Sequence, residues 1–161
     1  MINGKIKVTW KEKDYIKGPW RTNGDPYVGF NTRHKNKSLY NNVGSFINNN
    51  VNEQFHKIVK KFKIQNPVLA LNKMTPGQIL PFHTDRYSTY SKNNKIKNKK
   101  NIIRIIVFLQ DTKPGHQLWI EDKMCIGSAG SYFGWEYGIK HMAANLGETN
   151  RYTLQITGIR E

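Results

Sequence analysis

The sequence predicts a mainly β fold of the sandwich or jelly-roll type. After Pro67 the chain is built of short apolar or alternating segments, separated by turns rich in Gly, Pro, Asn or charged residues. The run Ile102–Gln110 is continuously apolar apart from one arginine and its last residue, as expected for a strand buried on both faces. Several short strands at this spacing favour a sandwich or jelly roll over an α/β fold.

Seven strands are expected in the second part of the chain. They are Val68–Met74, Ile79–Asp85, Ile102–Gln110, Gln117–Glu121, Ser131–Trp135, Ile139–Leu146 and Arg151–Ile159. The dipeptide Pro76-Gly77 is a turn between the first two. Because Leu146–Asn150 is also turn-forming, the last two strands are expected to pair as an antiparallel hairpin.

The first fifty residues are irregular, with a short strand expected near Lys5–Trp10 and turns such as Asn23–Pro26 among the aromatic side chains Tyr27 and Phe30.

A helix is expected near residues 51–63, because apolar residues recur there at helical spacing. The dipeptide Asn66-Pro67 ends it. These apolar residues are Val51, Phe55, Ile58, Val59 and Phe62. We therefore expect one domain over residues 1–161, with an N-terminal support segment (1–66) and a β core (67–161).

The charge of the chain does not decide its partner. With 26 Lys and Arg against 11 Asp and Glu, the net charge of +15 is compatible with a nucleic-acid binder. However, the chain is rich in Lys, Asn and Ile together, a blend that an AT-rich genome also produces. Much of the charge lies in one run, Lys92–Lys100, which is typical of a solvated loop.

Three further expectations follow from composition. The single Cys125 excludes an internal disulfide, and a buried, unreactive thiol is the expectation for it. Nothing resembles a signal peptide, and no apolar run approaches the length of a membrane span. An intracellular, soluble protein without a membrane partner is therefore expected.

The motif His83-Thr84-Asp85 is the first chemical signal. Residues i and i+2 of a strand point to one face, so this spacing projects an imidazole and a carboxylate together. Alone the motif also fits a surface histidine beside an acid. His141 lies in another predicted strand, and two histidines with one carboxylate form the facial triad of non-haem iron(II) sites, which leaves three coordination positions open. The remaining histidines are interpreted as surface or loop residues: His34, His56 and His116.

Arg151 is the second signal. Its strand alternates a polar face with an apolar one, and the polar face carries Arg151, Thr153, Gln155 and Thr157. If that face lines the interior, its polar groups need water or a ligand. A guanidinium binds a carboxylate through two hydrogen bonds, and the Thr153 hydroxyl can support the same anion. The alternative is an edge strand whose polar face points to solvent.

Together these residues resemble the prolyl-hydroxylase-like group of the 2-oxoglutarate/iron(II) oxygenases. The resemblance covers Val68 to Gly158, with Pro76-Gly77 six residues before His83 and Arg151 ten residues after His141. The run from His141 through Asn145 and Gly147 to Arg151–Leu154 looks like the C-terminal signature of the family. The resemblance implies a double-stranded β-helix, a cupin-like jelly roll, with the N-terminal segment packed on it.

The resemblance also implies a chemistry. Fe(II) would be held by His83, Asp85 and His141 as the catalytic residues. The co-substrate 2-oxoglutarate would chelate the iron, with its far carboxylate bound by Arg151 and Thr153. With O2 as the other co-substrate, the enzyme would decarboxylate 2-oxoglutarate to succinate and hydroxylate a C–H bond of its substrate.

Two departures qualify the resemblance. Many relatives place a co-substrate-binding Tyr two residues before the Pro-Gly turn, where this chain has Met74. Asn72, on the same face, is the candidate replacement. The nucleic-acid demethylase branch usually carries a second arginine six residues after the first. This chain has Thr157 there, which counts against base repair despite the positive charge.

The substrate is less well defined. The polar stretch Arg86–Asn101 is expected to be a mobile loop, either a lid or a tolerated insertion. Arg86, Trp119 and Trp135 are candidate substrate contacts, although aromatic residues on strands are also typical of a core. The leading hypothesis is hydroxylation of an amino-acid side chain, free or in a peptide or protein, with proline the first candidate. The alternatives are oxidation of a nucleic acid and a catalytically silent β-sandwich binding module; the oligomeric state is left open.

Overall fold

The computed structural model describes residues 1–23 and 43–160. The strands of these ranges are β1 (Ile2–Lys5), β2 (Arg21–Thr22), β3 (Phe46–Asn48), β4 (Ile64–Met74), β5 (Ile79–His83), β6 (Ile102–Phe108), β7 (His116–Ile120), β8 (Lys123–Met124), β9 (Ser131–Glu136), β10 (His141–Asn145) and β11 (Arg151–Arg160). The α-helices are α1 (Glu53–Val59) and α2 (Ser88–Asn93), and short 3-10 turns cover Glu12–Asp14, Lys60–Phe62 and Lys99–Asn101.

The strands form two antiparallel sheets. The large sheet has the order β1-β9-β6-β11-β4-β3-β2, and the small sheet has the order β5-β10-β7-β8. From β4 onward the chain crosses between the sheets after nearly every strand, so that β4, β6, β9 and β11 face β5, β7, β8 and β10. This winding is the double-stranded β-helix, and the predicted mainly β, cupin-like jelly roll is confirmed.

The predicted hairpin of the last two strands is wrong. Strand β10 lies in the small sheet between β5 and β7, whereas β11 lies in the large sheet between β4 and β6. The turn between them crosses from one sheet to the other and is held by Asn145, whose amide donates to the carbonyl oxygens of Met74 and Thr149, both at 2.8 Å. A turn-forming sequence fixes where the chain reverses but does not choose the partner strands.

The outer face of the large sheet packs on the N-terminal segment. Buried residues of β4, β6 and β11 alternate toward this side and meet the apolar stripe of α1 and aromatic side chains from the first fifteen residues. The members of this outer core include Trp10, Tyr15, Phe55, Ile58, Leu71, Ile105, Val107, Leu154 and Ile156. The Trp10 indole donates to the carbonyl of Leu109 at 2.8 Å, which ties the segment to the sheet. The helix expected near residues 51–63 is confirmed.

The second core lies between the two sheets. It is formed by Ile106, Phe108, Leu118, Ile120, Cys125 and Trp135. Strand β6 is buried on both faces, as its apolar run predicts, because alternate residues supply the two cores. The expectation of a buried thiol at Cys125 is also confirmed, since this side chain is 2% exposed and burial raises its pKa to about 11.

Several element boundaries differ from expectation. The first strand is Ile2–Lys5 and not Lys5–Trp10, because it pairs with the edge of β9. Helical structure ends at Phe62, before Asn66-Pro67, because Lys63 adopts a left-handed conformation and β4 begins at Ile64. Strand β5 ends at His83, so Asp85 follows the strand. The two-residue strand β8 was not expected.

The stretch 86–101, expected as a long mobile loop, contains helix α2 and a 3-10 turn. Its aromatic residues Tyr87 and Tyr90 are buried against Ile102, and this third small core gives the helix its position. Among the expected features, Tyr27, Phe30, His34 and most of the turn Asn23–Pro26 lie outside the described residues. Within the described ranges, no helix is both long and apolar enough to cross a membrane.

Candidate metal and anion site

The structure brings His83, Asp85 and His141 together at one end of the barrel. His83 ends β5 and His141 begins β10, and the two are direct partners in the ladder of the small sheet. Their rings lie 4.3 Å apart, and one ligand atom from each of the three residues lies within 4.8 Å of the others. Asp85 reaches the cluster from the chain beyond the strand, and not from the strand face that the His-x-Asp spacing suggested. This cluster could hold a metal ion.

Both imidazoles point the same nitrogen toward Asp85. Nδ1 of His83 lies 2.7 Å from the carbonyl oxygen of Pro81, and Nδ1 of His141 lies 3.0 Å from that of Ile139. A carbonyl oxygen only accepts, so in neutral imidazoles Nδ1 carries the proton and Nε2 carries the lone pair. The Nε2 atoms lie 3.8 Å and 3.7 Å from the two Asp85 oxygens, respectively. Backbone carbonyls thus fix the tautomer needed for metal binding through Nε2.

The protonation states also suit a metal. Burial lowers the pKa of His141 to about 4, so its imidazole is neutral at pH 7. Burial acts to raise the pKa of Asp85, but the charges of Arg104, His141 and His83 outweigh it and the net pKa is lowered. Asp85 is therefore ionised. Imidazole nitrogens with one carboxylate are a donor set that iron(II) accepts.

Arg104 is the member of the site that sequence reasoning missed. It lies on β6, and its Nε donates to Oδ2 of Asp85 at 3.1 Å while its Nη2 forms an ion pair with the same oxygen at 3.0 Å. The ring of Tyr87 covers the guanidinium, with 5.1 Å from the guanidinium carbon to the ring centroid. A signal was present, because Arg104 is the single charge in the apolar run Ile102–Phe108, and a charge in a buried strand needs a partner.

Arg151 lies on the inner face at the start of β11, opposite Met74 in the ladder. Its guanidinium is buried against the ring of Phe108, and Nη1 contacts the Met74 sulfur at 3.8 Å. In the described part of the chain Nη2 has no hydrogen-bond partner. Burial lowers the pKa of Arg151 to about 10, so it remains protonated at pH 7. A buried cation with an unused donor is costly unless an anion completes it.

A small pocket adjoins Arg151. Thr153 lines it together with Phe108, Leu118 and Cys125, and the three metal-ligand candidates do not. Asn72 lies opposite Thr153 in the ladder, on the same inner face, where its amide donates to Gln155 Oε1 at 3.2 Å. Arg151 and Thr153 are therefore brought to one pocket, whereas Asn72 lies beside it. The alternation of a polar inner face and an apolar outer face along β11 is as expected.

The three candidate substrate residues lie in different places: Trp135 beside His141, Trp119 on the outer face of the small sheet and Arg86 at the surface beside Asp85. Trp135 is 3% exposed, its ring lies 4.4 Å from that of His141, and its Nε1 has no hydrogen-bond partner in the described chain. Trp119 alternates with buried Leu118 and Ile120, so it lies on the outer face of the small sheet and is not brought to the site. Arg86 is exposed beside Asp85, and its carbonyl accepts from the Lys99 ammonium at 2.7 Å.

Two other histidines can be placed. His56 is exposed on α1, as expected. His116 is not a surface residue, because it begins β7, is 3% exposed and has Nε2 3.2 Å from the carbonyl oxygen of Thr149. It lines the Arg151 pocket, and burial lowers its pKa. A neutral His116 therefore adds no second charge near Arg151 at pH 7.

Neither a family model nor a curated protein matches the sequence. Among solved structures, the chain is similar to a protein described as a predicted oxalate decarboxylase from Thermotoga maritima (15% identity, 72% of this chain and 81% of that one, TM-score 0.46). It is also similar to KdgF from Halomonas sp. (15%, 59% and 70%, TM-score 0.41) and to a cupin protein from Bacteroides fragilis (14%, 58% and 65%, TM-score 0.42). Because these TM-scores are below 0.5, the fold assignment rests on the strand order of the chain itself.

Proposed function

We propose that this chain is a single-domain, intracellular Fe(II)- and 2-oxoglutarate-dependent oxygenase that hydroxylates an amino-acid side chain, free or in a peptide or protein. The observation that carries the proposal is the buried Arg151 with its unpartnered Nη2, on the inner face of a barrel that also holds the His83–Asp85–His141 cluster. A metal centre alone does not account for a second, uncompensated cation inside the barrel. An anion that binds both the metal and Arg151 does.

Each residue has a specific task in this mechanism. His83 and His141 would hold the metal through Nε2, since the carbonyls behind their Nδ1 atoms orient the rings. Asp85 would supply the carboxylate ligand. When bound, iron(II) with 2-oxoglutarate and O2 supplies the oxidising power for attack on an unactivated C–H bond.

The distal carboxylate of 2-oxoglutarate would be held at the Arg151 end of the barrel interior. Arg151 would bind the distal carboxylate of the co-substrate with its unused Nη2, and the Thr153 hydroxyl would donate to the same group. At the metal end, the Trp135 indole N–H is a buried donor that a ligand oxygen would satisfy, and its ring shields the His141 imidazole from water. The apolar residues of the inner core keep bulk water from the space between the two ends.

The test is an anaerobic titration with Fe(II) and then 2-oxoglutarate, followed by the weak visible charge-transfer band of the chelate. We expect the band in the wild type, and we expect Arg151→Met to need far more co-substrate to reach it. Arg160→Met is the matched control, because Arg160 lies on the same strand but is exposed in an ion pair with Glu136. Failure of the wild type to bind Fe(II) would instead support the binding-module alternative.

A second candidate function is oxidation of a nucleic acid or another polyanion. One structural observation favours it beyond the net charge of +15. Thr157, which stands where the demethylase branch carries its second arginine, is the direct ladder partner of Arg104. An arginine is therefore present at this level of the barrel, on the neighbouring strand. Activity on such a substrate should fall steeply with added salt, and salt-resistant activity would rule it out.

A further inference from the structure

Arg104 has a fixed place at the metal end of the barrel. It lies on β6, the strand between β9 and β11, with Trp135 and Thr157 as its ladder partners on either side. Its side chain is 12% exposed. Trp135 in turn packs on His141. The guanidinium therefore faces the metal-ligand cluster from a strand of the large sheet that is paired on both sides.

Both of its close contacts to Asp85 go to one oxygen. Nε donates a hydrogen bond to Oδ2 at 3.1 Å, and Nη2 forms an ion pair with the same atom at 3.0 Å. The other oxygen, Oδ1, lies 3.8 Å from Nε2 of His83. Oδ2 lies 3.7 Å from Nε2 of His141, so each carboxylate oxygen faces one imidazole, but Oδ2 is the oxygen that carries the charge-assisted bond to Arg104. Oδ1 is therefore the oxygen that a metal can take without competing with the guanidinium.

The arginine is also held in position before any ligand arrives. The buried Tyr87 ring covers its guanidinium, and Tyr87 itself is fixed in the small core with Tyr90 and Ile102. A planar guanidinium restrained on its face loses little further freedom when it bonds a carboxylate. The Arg104–Asp85 contact is therefore a preformed part of the site.

From this geometry, and resting on the metal site of the proposed function, we infer that Arg104 is a positioning residue for Asp85. It limits Asp85 to one metal-ligand oxygen, Oδ1, and it cancels the carboxylate charge. With a bound dication, the centre keeps a net charge of +2, and it would keep +1 without Arg104. Two consequences follow: Arg104 weakens metal binding, and it strengthens the binding of an anionic ligand to the metal.

The experiment compares the wild type with Arg104→Gln, in which an amide replaces the cation. Co(II) affinity is measured by its visible absorption, and azide is then added as an anionic probe of the loaded site. We expect Arg104→Gln to bind Co(II) on the order of tenfold more tightly and azide on the order of tenfold more weakly, from the Coulomb term of one nearby charge. The control Lys99→Gln removes a charge from the rim without touching Asp85, and should match the wild type.

The outcomes separate the two proposals. If the wild type takes up no Co(II), the metal site of the proposed function fails, and the role of Arg104 fails with it. If the wild type binds Co(II) but Arg104→Gln, folded by circular dichroism, binds it equally or more weakly, only the role of Arg104 is overturned. A purely structural arginine would give this second result, since its loss would disorder the ligand.

Infrared difference spectra keep the inference testable even if Arg104→Gln does not fold. In the wild type, Co(II) binding should shift the Asp85 carboxylate bands to the wide separation of a one-oxygen ligand. The bands are assigned by their loss in Asp85→Asn. A narrow separation, which indicates coordination through both oxygens, would contradict the inference.

Discussion

The two ends of the barrel interior treat a buried arginine in opposite ways. At the metal end, Arg104 makes a hydrogen bond and an ion pair with Asp85, so the positive charge has its counter-charge in the chain. At the other end, Arg151 contacts a sulfur and an aromatic ring, and among the described residues its Nη2 has no hydrogen-bond partner. Because a buried charge is tolerated when it is paired and costly when it is not, the first arginine belongs to the structure. The second indicates a ligand that the chain itself does not supply.

The largest expected effect is at the paired end. Asp85→Asn removes the only carboxylate of the metal cluster but keeps an oxygen that Arg104 can bond. We expect Asp85→Asn to abolish detectable Fe(II) binding in anaerobic calorimetry, because it removes the charged metal ligand. Far-ultraviolet circular dichroism should remain that of the wild type. An unchanged Fe(II) affinity would remove Asp85 from the cluster.

The next effect is at the unpaired end, with the metal site intact. Arg151→Met should weaken 2-oxoglutarate binding to the Fe(II)-loaded protein by about 2–5 kcal/mol, the scale for one lost partner of a buried charge pair. Fe(II) affinity should not change, because Arg151 contacts none of the three ligands. Equilibrium titration of the charge-transfer band measures both constants. If Arg151→Met bound 2-oxoglutarate as tightly as the wild type, Arg151 would not be the site of the missing anion.

The comparison is tested most directly by the stability of the ligand-free protein. Arg151→Met replaces an unpaired cation with an apolar side chain, and we expect it to raise the free energy of unfolding by about 1 kcal/mol or more. Arg104→Met leaves Asp85 without its charged partner and should lower the free energy of unfolding. The expected loss is about 1–2 kcal/mol, because Asp85 is partly solvated. Urea unfolding gives both values. If both variants changed the free energy of unfolding in the same direction, Arg104 and Arg151 would not differ in whether the chain supplies their counter-charge.

The smallest expected effect concerns Trp135. Trp135→Phe keeps an aromatic ring against His141 and removes the unpartnered indole N–H. Stability of the ligand-free protein should change by less than about 1 kcal/mol, whereas the affinity of the metal-bound co-substrate should fall severalfold. Trp119→Phe, on the outer face of the small sheet, is the control and should change neither. A loss of affinity only in Trp119→Phe would reverse the assignment of the two tryptophans.

The sequence predicted those site residues that a local motif or the alternation of a strand identifies. His83 and His141 were placed by motif and strand pattern, and Arg151 by the polar alternation of its strand. The hairpin expected between the strands of His141 and Arg151 does not exist, since these strands lie in different sheets. Both residues nevertheless face one interior, because sheets that face each other enclose the same space. Asp85 likewise reached the site from beyond its strand.

What the sequence determined by itself is most of the longer elements: an amphipathic helix, strands that alternate or are apolar throughout, and turns between them. These follow from the short-range periodicity of side chains, which is independent of the rest of the chain. Only the tertiary structure decided which strands pair, that Arg104 meets Asp85, and that Arg151 meets no charged partner among residues 1–23 and 43–160. These are contacts between residues distant in the chain, and they depend on which sheet each strand joins. No local pattern encodes that choice, because the same apolar strand fits either sheet.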